Sequence, residues 1–387
     1  MKPKLLLVSL FLLVTTSYAQ LTLSPNAEVS VLTIGPGAEL NDAFGHNAFR
    51  IKDVSQGLDI TYGYGEYDFD TPNFYLKFAQ GKLKYLISRV EFNRLYNFYV
   101  YQNRTIQEQV LNLSSSEKQK LFDLLQENYK PENRPYLYDF FYDNCATKMR
   151  DVLLKVVDNP IKFHTPPTLE PKTFRALIHE HVNRNSWGSL GIDTALGAVI
   201  DTEASPYEHM FLPKYIYQFF AVATTNDKPL VKSSSTLFEA RTLEAQTSLI
   251  SSPLSLMTLI ALLILGITYR DYNNKTRTKV LDIFLFAMTG ILGVFVVVLW
   301  FATDHSATAQ NYNLLWAFPL NLLMLIPLSK PKLGARGRKY LKFLLIMLAL
   351  LTMHWLIGIQ VFAIGWIPLF IALGTRYLYL IAYSKNN

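Results

Sequence analysis

The stretch "YDFFYDNCATKMRD", residues 138–151, contains the only cysteine in a chain of 387 residues. Asp143 and Asn144 are residue types that cap helix starts. From Cys145 onward, Cys145, Met149, Val152 and Val156 recur at spacings of 4, 3 and 4, the apolar stripe of an amphipathic helix. The cysteine is therefore expected to open a helix. Unpaired N–H groups and a partial positive charge at a helix start are expected to lower the thiol pKa and favour the thiolate. The same N–H groups suit an oxyanion formed when a thiolate attacks a carbonyl. The competing reading is a small buried apolar residue.

The chain's first residues bear on that choice. Residues 1–19 read as an export signal: Lys2 and Lys4, then "LLLVSLFLLV", then "SYA" before Gln20. An uncleaved anchor is the alternative, with an apolar run short for a span. No cysteine follows the cleavage pattern, so the chain does not read as a lipoprotein. A solitary thiol outside the cytoplasm has no partner in its own chain, which favours the reactive reading of Cys145.

A cysteine nucleophile usually needs a base. Before residue 250 there are five histidines, His46, His164, His179, His181 and His209. His46 follows a glycine and opens a strand-like stretch, "HNAFRIKD", and a strand can aim a base rigidly. His179 and His181 lie two apart, about 200° around a helix, so they chelate poorly. With no cysteine pair, no metal site and no cofactor are expected.

The net charge of +7 divides unevenly. From Ser252 onward there are twelve Lys/Arg against three Asp, which leaves a balance of −2 for the first 251 residues. The basic residues sit in loops between apolar runs, a membrane pattern, not a nucleic-acid stripe. We read residues 20–225 as a mixed α+β head, 226–251 as a polar linker with a short helix at its end, and 252–383 as an all-α membrane domain of about five transmembrane helices. The apolar runs are 253–268, 280–301, 314–328 and a double-length 341–382 that turns somewhere in 357–366. "RDYNNKTRTK" and "SKPKLGARGRK" carry four and five basic residues, and "ATDHSATAQNYN" none. The positive-inside rule then places the head outside and the C-terminus in the cytoplasm, and helical spans argue for the inner membrane. In the head, "EVSVLTI" and "LDITYGYG" read as strands, and Ser114–Lys130 as a helix with Leu121, Leu124 and Leu125 on its apolar face.

"GHNAFRI", followed about 100 residues later by "DNCATKMRD", resembles the circularly permuted papain-like fold, in which the histidine begins a strand and the cysteine a later helix. The lecithin:retinol acyltransferase-like enzymes share that order. "FGHNAFRIKD", "DITYGYGEYDF", "RTIQEQVLNL", "MFLPKY" and "TDHSATAQNYNLLW", together with the cysteine stretch, resemble the Bacteroidetes-type Lnb family over nearly the whole mature chain. That family comprises lipoprotein N-acyltransferases with a periplasmic thiol domain and a membrane domain.

The resemblance implies Cys145 as nucleophile and His46 as general base. Asp59 matches the place of an orienting third residue, with Asp53 as competitor; both also read as solvated turn residues. Asn144 either orients the site or caps the helix. Asn47 stands next to His46, and Tyr138 reads as core or pocket wall. Arg104 pairs with a carboxylate or phosphate, or forms a surface salt bridge. In the loop after the second span, Asp304, His305, Asn311 and Asn313 read as headgroup or substrate contacts or as plain interfacial polar groups. His354 reads as a polar contact between helices. The implied partners are a phospholipid acyl donor, a diacylglyceryl-modified lipoprotein acceptor and the membrane itself. A membrane-tethered cysteine hydrolase and a non-catalytic assembly protein are the rival readings.

Overall fold

The computed structural model of the chain describes residues 21–241 and 249–386. The export signal and the short helix expected at the end of the linker fall outside them. Strand alternation builds the head. β1 (Glu28–Ile34) pairs antiparallel with β2 (His46–Asp53), which pairs with β3 (Leu58–Glu66). Helix α1 (Phe74–Ala79) leads to β4 (Lys84–Glu91), then α2 (Phe92–Tyr101), β5 (Ile106–Leu111), α3 (Ser115–Tyr129), β6 (Pro135–Leu137) and α4 (Cys145–Val156). After β7 (Ile161–Lys162) come α5 (Phe174–His179), α6 (Trp187–Ala195), α7 (Pro213–Val222), the short strands β8 (Thr224–Thr225) and β9 (Lys228–Pro229), and β10 (Val231–Phe238). The main sheet is antiparallel, in the order β10-β5-β1-β2-β3-β4-β6.

Period-two side-chain alternation assigns the two faces. Val29, Val31, Phe49, Ile51, Ile60, Tyr62 and Tyr64 point to the larger core, shared with α3, α4 and α7. Leu32 and Ile34 point the other way, against Phe92 of α2. Arg50 shares that second face, its guanidinium 3.3 Å above the Phe92 ring. Helix α3 starts where its sequence signals it, with Ser114 and Glu117 forming a reciprocal cap.

The expected linker is a correction. Residues 231–238 of it form β10, the edge strand beside β5, with Ser234 opposite Gln109. Its "VKSSSTLF" is polar because an edge strand exposes most of its side chains, and lysine on an edge discourages further pairing. The same polarity looked like a linker in the sequence.

Four long apolar helices follow: α8 (Pro253–Asn274), α9 (Lys279–Phe301), then, after the short α10 (Leu325–Ser329), α11 (Ala335–Leu356) and α12 (Ile367–Asn386). The expected third span differs from a straight helix. Residues 306–315 and 319–329 form 3-10 turns and α10, bent by 41°. Pro319 and Pro327 remove backbone donors there, and side-chain bonds tie the segment to neighbouring helices. Asn321 donates to Thr289 Oγ1 (2.8 Å) and accepts from the Tyr340 hydroxyl (2.7 Å). Gly290 and Gly293 of α9 leave no room for a Cβ against Leu322 and the Ala317 carbonyl, so the broken segment lies directly on α9. It also returns the full way, because Arg277 in the α8–α9 loop donates to the Leu328 carbonyl (2.8 Å). With that segment counted, the bundle crosses five times. The last turn falls between α11 and α12, inside the expected 357–366.

At the end far from the head lies a buried charge cluster. Arg376 donates to Asp271 (2.8 Å) and Asp282 (2.7 Å), and Arg277 to Asp282 (2.7 Å). Truncating one member leaves a buried charge without its counter-ion, which costs about 3–5 kcal/mol. Asp282→Ala is therefore expected to lower the thermal denaturation midpoint of the detergent-solubilised protein by several degrees. An unchanged midpoint would show that the cluster contributes nothing.

Candidate functional site

Asn144 fixes the cysteine. Its Oδ1 accepts from the Ala146 and Thr147 N–H groups (2.8 and 2.9 Å), and the Thr147 hydroxyl accepts from the Asn144 N–H (2.9 Å). Its Nδ2 donates to the carbonyls of Phe140 (2.6 Å) and Phe211 (2.8 Å). Every strong valence of this buried amide is used, so of the two roles read from the sequence it fills that of cap. Asp139 tightens the turn just before, its Oδ1 accepting from Phe141 and Tyr142 N–H.

Glycines bring His46 alongside. Gly45 has φ +83°, and a Cβ on it would come within 2.6 Å of the Ile34 carbonyl, so only glycine lets the chain turn into β2 here. Across β3, a Cβ at Gly63 would stand 3.1 Å from His46 Nε2. One at Gly65 (φ +100°) would touch Tyr138 and the Cys145 Cβ. The β3–β4 ladder slips in register between Tyr64 and Glu66, a bulge of the kind that re-aims side chains beside sites. Gly63 and Gly65 stand in "YGYG", where a glycine inside a strand signals close approach, but which side chains approach is set by tertiary packing and is not written in the local pattern.

His46 and Cys145 line one cavity of about 100 Å³, walled by Tyr64, Tyr138 and the packed rings of Phe44, Phe140 and Phe211. Among the described contacts no hydrogen bond joins the two. The other head histidines are placed elsewhere. His179 bonds Asp193, His181 the Ala43 carbonyl, His209 the Ser205 carbonyl and His164 the Thr224 hydroxyl.

The electrostatics correct one expectation. Burial pushes the Cys145 thiol up to about 11. Backbone N–H groups of Asn47, Cys145 and Ala146 and the charge of Arg104 act in the lowering direction but do not overcome it. Burial, with Arg104 second, lowers His46 to about 4. The resting pair is thus a thiol beside a neutral imidazole, a base able to accept the proton as the sulfur attacks. The helix start supplies donors without producing a resting thiolate, because desolvation of a charged sulfur outweighs a half-charge at a helix end.

Asp59 is a second correction. It opposes Lys52, six positions along β2 from His46, or about 20 Å. It forms a two-pronged pair with Arg50, both bonds 2.7 Å, and so does not orient His46. Asp53 is also committed elsewhere, accepting from Ser24 and Ser55. Arg104 is buried and holds the Gly35 carbonyl (2.9 Å) and Asp42 (3.4 Å); its Nη2 has no partner among the described residues. The surface-salt-bridge reading fails, and Arg104 acts on the pair through its field. Tyr138 is a cavity wall, stacked on Tyr85 at 4.3 Å. Asn47 is buried, donating to Thr33 and the Leu32 carbonyl, while its backbone N–H faces the sulfur.

The loop after α9 joins the two halves of the molecule. Asn311 Nδ2 donates to the carbonyls of Thr194 and Ala195, and Asn313 Nδ2 to those of Asp193 and Thr194. Asn313 Oδ1 accepts from the Trp316 indole (2.8 Å). His305 Nε2 donates to the Phe78 carbonyl (3.1 Å), and Ser306 to Asp139 (3.1 Å). These side chains are occupied in docking α6 and the Asp139 turn, so for His305, Asn311 and Asn313 both readings, substrate or headgroup contact and plain interfacial polar group, give way to a structural clamp. Asp304 remains exposed, 3.9 Å from Lys82. His354 bonds its own helix at Leu350 and packs on Tyr312.

An antiparallel α+β head carrying a cysteine and a histidine in one cavity, clamped to a five-crossing helical bundle, defines a membrane-tethered thiol domain. Residues 15–180 match the model of the Lnb N-terminal periplasmic domain and residues 244–387 that of the Lnb transmembrane domain, and the chain belongs to the Lnb family. It is a membrane protein with a periplasmic N-terminal domain. No curated protein and no solved structure matches it.

Alkylation of Cys145 by iodoacetamide reports the thiol directly, since this is the only cysteine. With the thiol at about 11, the rate is expected to keep rising through pH 9. A plateau reached near pH 6 would show a preformed thiolate instead.

Proposed function

We propose that the protein transfers an acyl chain from a membrane phospholipid, through a Cys145 thioester, to the N-terminal amine of diacylglyceryl-modified lipoproteins. The observation that supports this best is the shared cavity, in which Cys145 meets a neutral His46 and three backbone N–H groups. His46 takes the thiol proton as Cys145 Sγ attacks the ester carbonyl. The oxyanion is held by backbone N–H groups at the start of α4 and at Asn47. The C–O bond breaks, His46 returns the proton to the glycerol oxygen, and a thioester remains. The acceptor amine then attacks that carbonyl and gives its proton to His46, the C–S bond breaks to leave the amide, and His46 returns the proton to the sulfur, restoring the thiol. No cofactor takes part. A cavity of about 100 Å³ is far below the several hundred Å³ of a drug-sized site. It admits the ester and its first carbons while the chain stays in lipid.

The basic loops and the C-terminus lie at the bundle end opposite the head, where Arg277, Arg338 and Ser384 meet neighbouring elements. That arrangement supports an inner-membrane protein with its C-terminus in the cytoplasm.

The decisive experiment is the mass of lipoprotein N-termini from cells carrying Cys145→Ala, expected to lack the amide-linked chain. Unchanged N-acylation rejects the proposal. Free fatty acid released at full rate by the purified protein without an amine would favour the hydrolase. Gly63→Ala would displace the imidazole by a few tenths of an ångström or more. It is expected to lower kcat by about 10²-fold, with a smaller change in the donor KM; equal activity would place the base elsewhere.

A further inference from the structure

Helix α1 and the loop before it expose an aromatic face that no element among the described residues covers. Tyr75, Phe69, Leu76 and Phe78 are 78%, 64%, 58% and 53% exposed. They cluster through Phe74, whose ring lies 4.8 Å from Phe69 and 5.3 Å from Tyr75. A contiguous patch of this kind marks a binding surface. Its attachment says what covers it. The Gln80 carbonyl at the end of α1 accepts from the Asp304 N–H (2.9 Å), and the Phe78 carbonyl from His305 (3.1 Å). A Cβ at Gly81 would stand 3.1 Å from the His305 nitrogen. Asp304 lies three residues beyond Phe301, where the apolar helix α9 ends. Phe301 is itself exposed and stacks on Trp300, as in the aromatic belts that sit at headgroup level. The patch is therefore continuous with the surface that α9 presents to lipid, at the depth where α9 leaves the hydrocarbon.

We infer that the aromatic face of α1 seats in the headgroup–acyl boundary of the bilayer that α8–α12 span, with a lipid surface as its occupant, and holds the mouth of the Cys145 cavity at that level. Amphipathic helices in this boundary bury their apolar face about 5–10 Å deep. Exposed Lys82 and Lys84 flank the patch where phosphate headgroups would lie. From the patch a line of rings leads inward: Tyr67 to Tyr85 at 5.7 Å, then Tyr85 to Tyr138 at 4.3 Å, and Tyr138 borders Cys145. A lipid leaving the boundary along this line reaches the sulfur without crossing water. The seating itself is independent of the acyl-transfer reading; only its effect on turnover rests on that reading.

The test uses the full chain carrying Cys145→Ser, with a single new cysteine at Tyr75→Cys or, as control, Val54→Cys. Val54 is exposed at the far end of β2. Each protein is spin-labelled and reconstituted in phosphatidylethanolamine–phosphatidylglycerol vesicles, and collisions with oxygen and with a water-soluble nickel chelate are compared. Position 75 is expected to favour oxygen over nickel several-fold more than position 54. A label at 75 as open to nickel as that at 54, or shielded from both reagents as in a protein–protein contact, overturns the inference. In the chain with Cys145 intact, Tyr75→Ser with Phe78→Ser is expected to slow Cys145 acylation from vesicle phospholipid about tenfold. Acylation by a water-soluble short-chain thioester should be unchanged; an equal loss with both donors overturns the gating role. A lipid-buried label in a protein that takes no acyl group from phospholipid would retain the seating and reject acyl transfer.

Discussion

The Asn144 side chain ties three segments into one point: the turn from Asp139, the first turn of α4, and the approach to α7 at Phe211. An amide buried in this way leaves no slack, because each lost bond strands a buried polar group at a cost of about 1–3 kcal/mol. Everything else at the cavity is referred to this point. Cys145 is the next residue, Phe140 and Phe211 form walls, and Pro213 of α7 packs against Gly45, which positions His46. The nucleophile candidate is thus held by a helix cap, and the base candidate by a strand that only a glycine lets the chain enter.

The two groups are tuned by exclusion of water more than by charge. The charge of Arg104 acts in the same direction on both, favouring thiolate and disfavouring imidazolium. Burial works against the charged form of each and dominates. The outcome is a quiet resting site in a periplasmic domain: a protonated thiol reacts slowly with oxidants, which suits a lone cysteine outside the cytoplasm.

Much of this was legible in the sequence. Alternation in "EVSVLTI" and "HNAFRIKD", the Ser114 and Asn144 caps, and the apolar runs after 250 are local signals, and local physics decided them. What misled was long-range. Asp59 lies on the expected strand, yet β2–β3 register sets it opposite Lys52, and Arg50 claims it. "VKSSSTLF" looks like a linker because an edge strand and a linker share polarity, and only pairing with β5 separates them. Asn311 and Asn313 looked like substrate contacts because their partners, the carbonyls closing α6, are more than a hundred residues away.

The buried cluster of Arg277, Asp271, Asp282 and Arg376 also constrains how the molecule is made. Asp271 and Asp282 lie on α8 and α9, and Arg376 lies on α12, which is synthesised after them. Until that helix arrives Asp282 has only Arg277 as a counter-ion, and Asp271 has the Thr276 and Thr278 donors but no arginine among its described contacts. The bundle therefore closes from its C-terminal end, and a chain cut short before Arg376 would carry its thiol domain on an unlatched base.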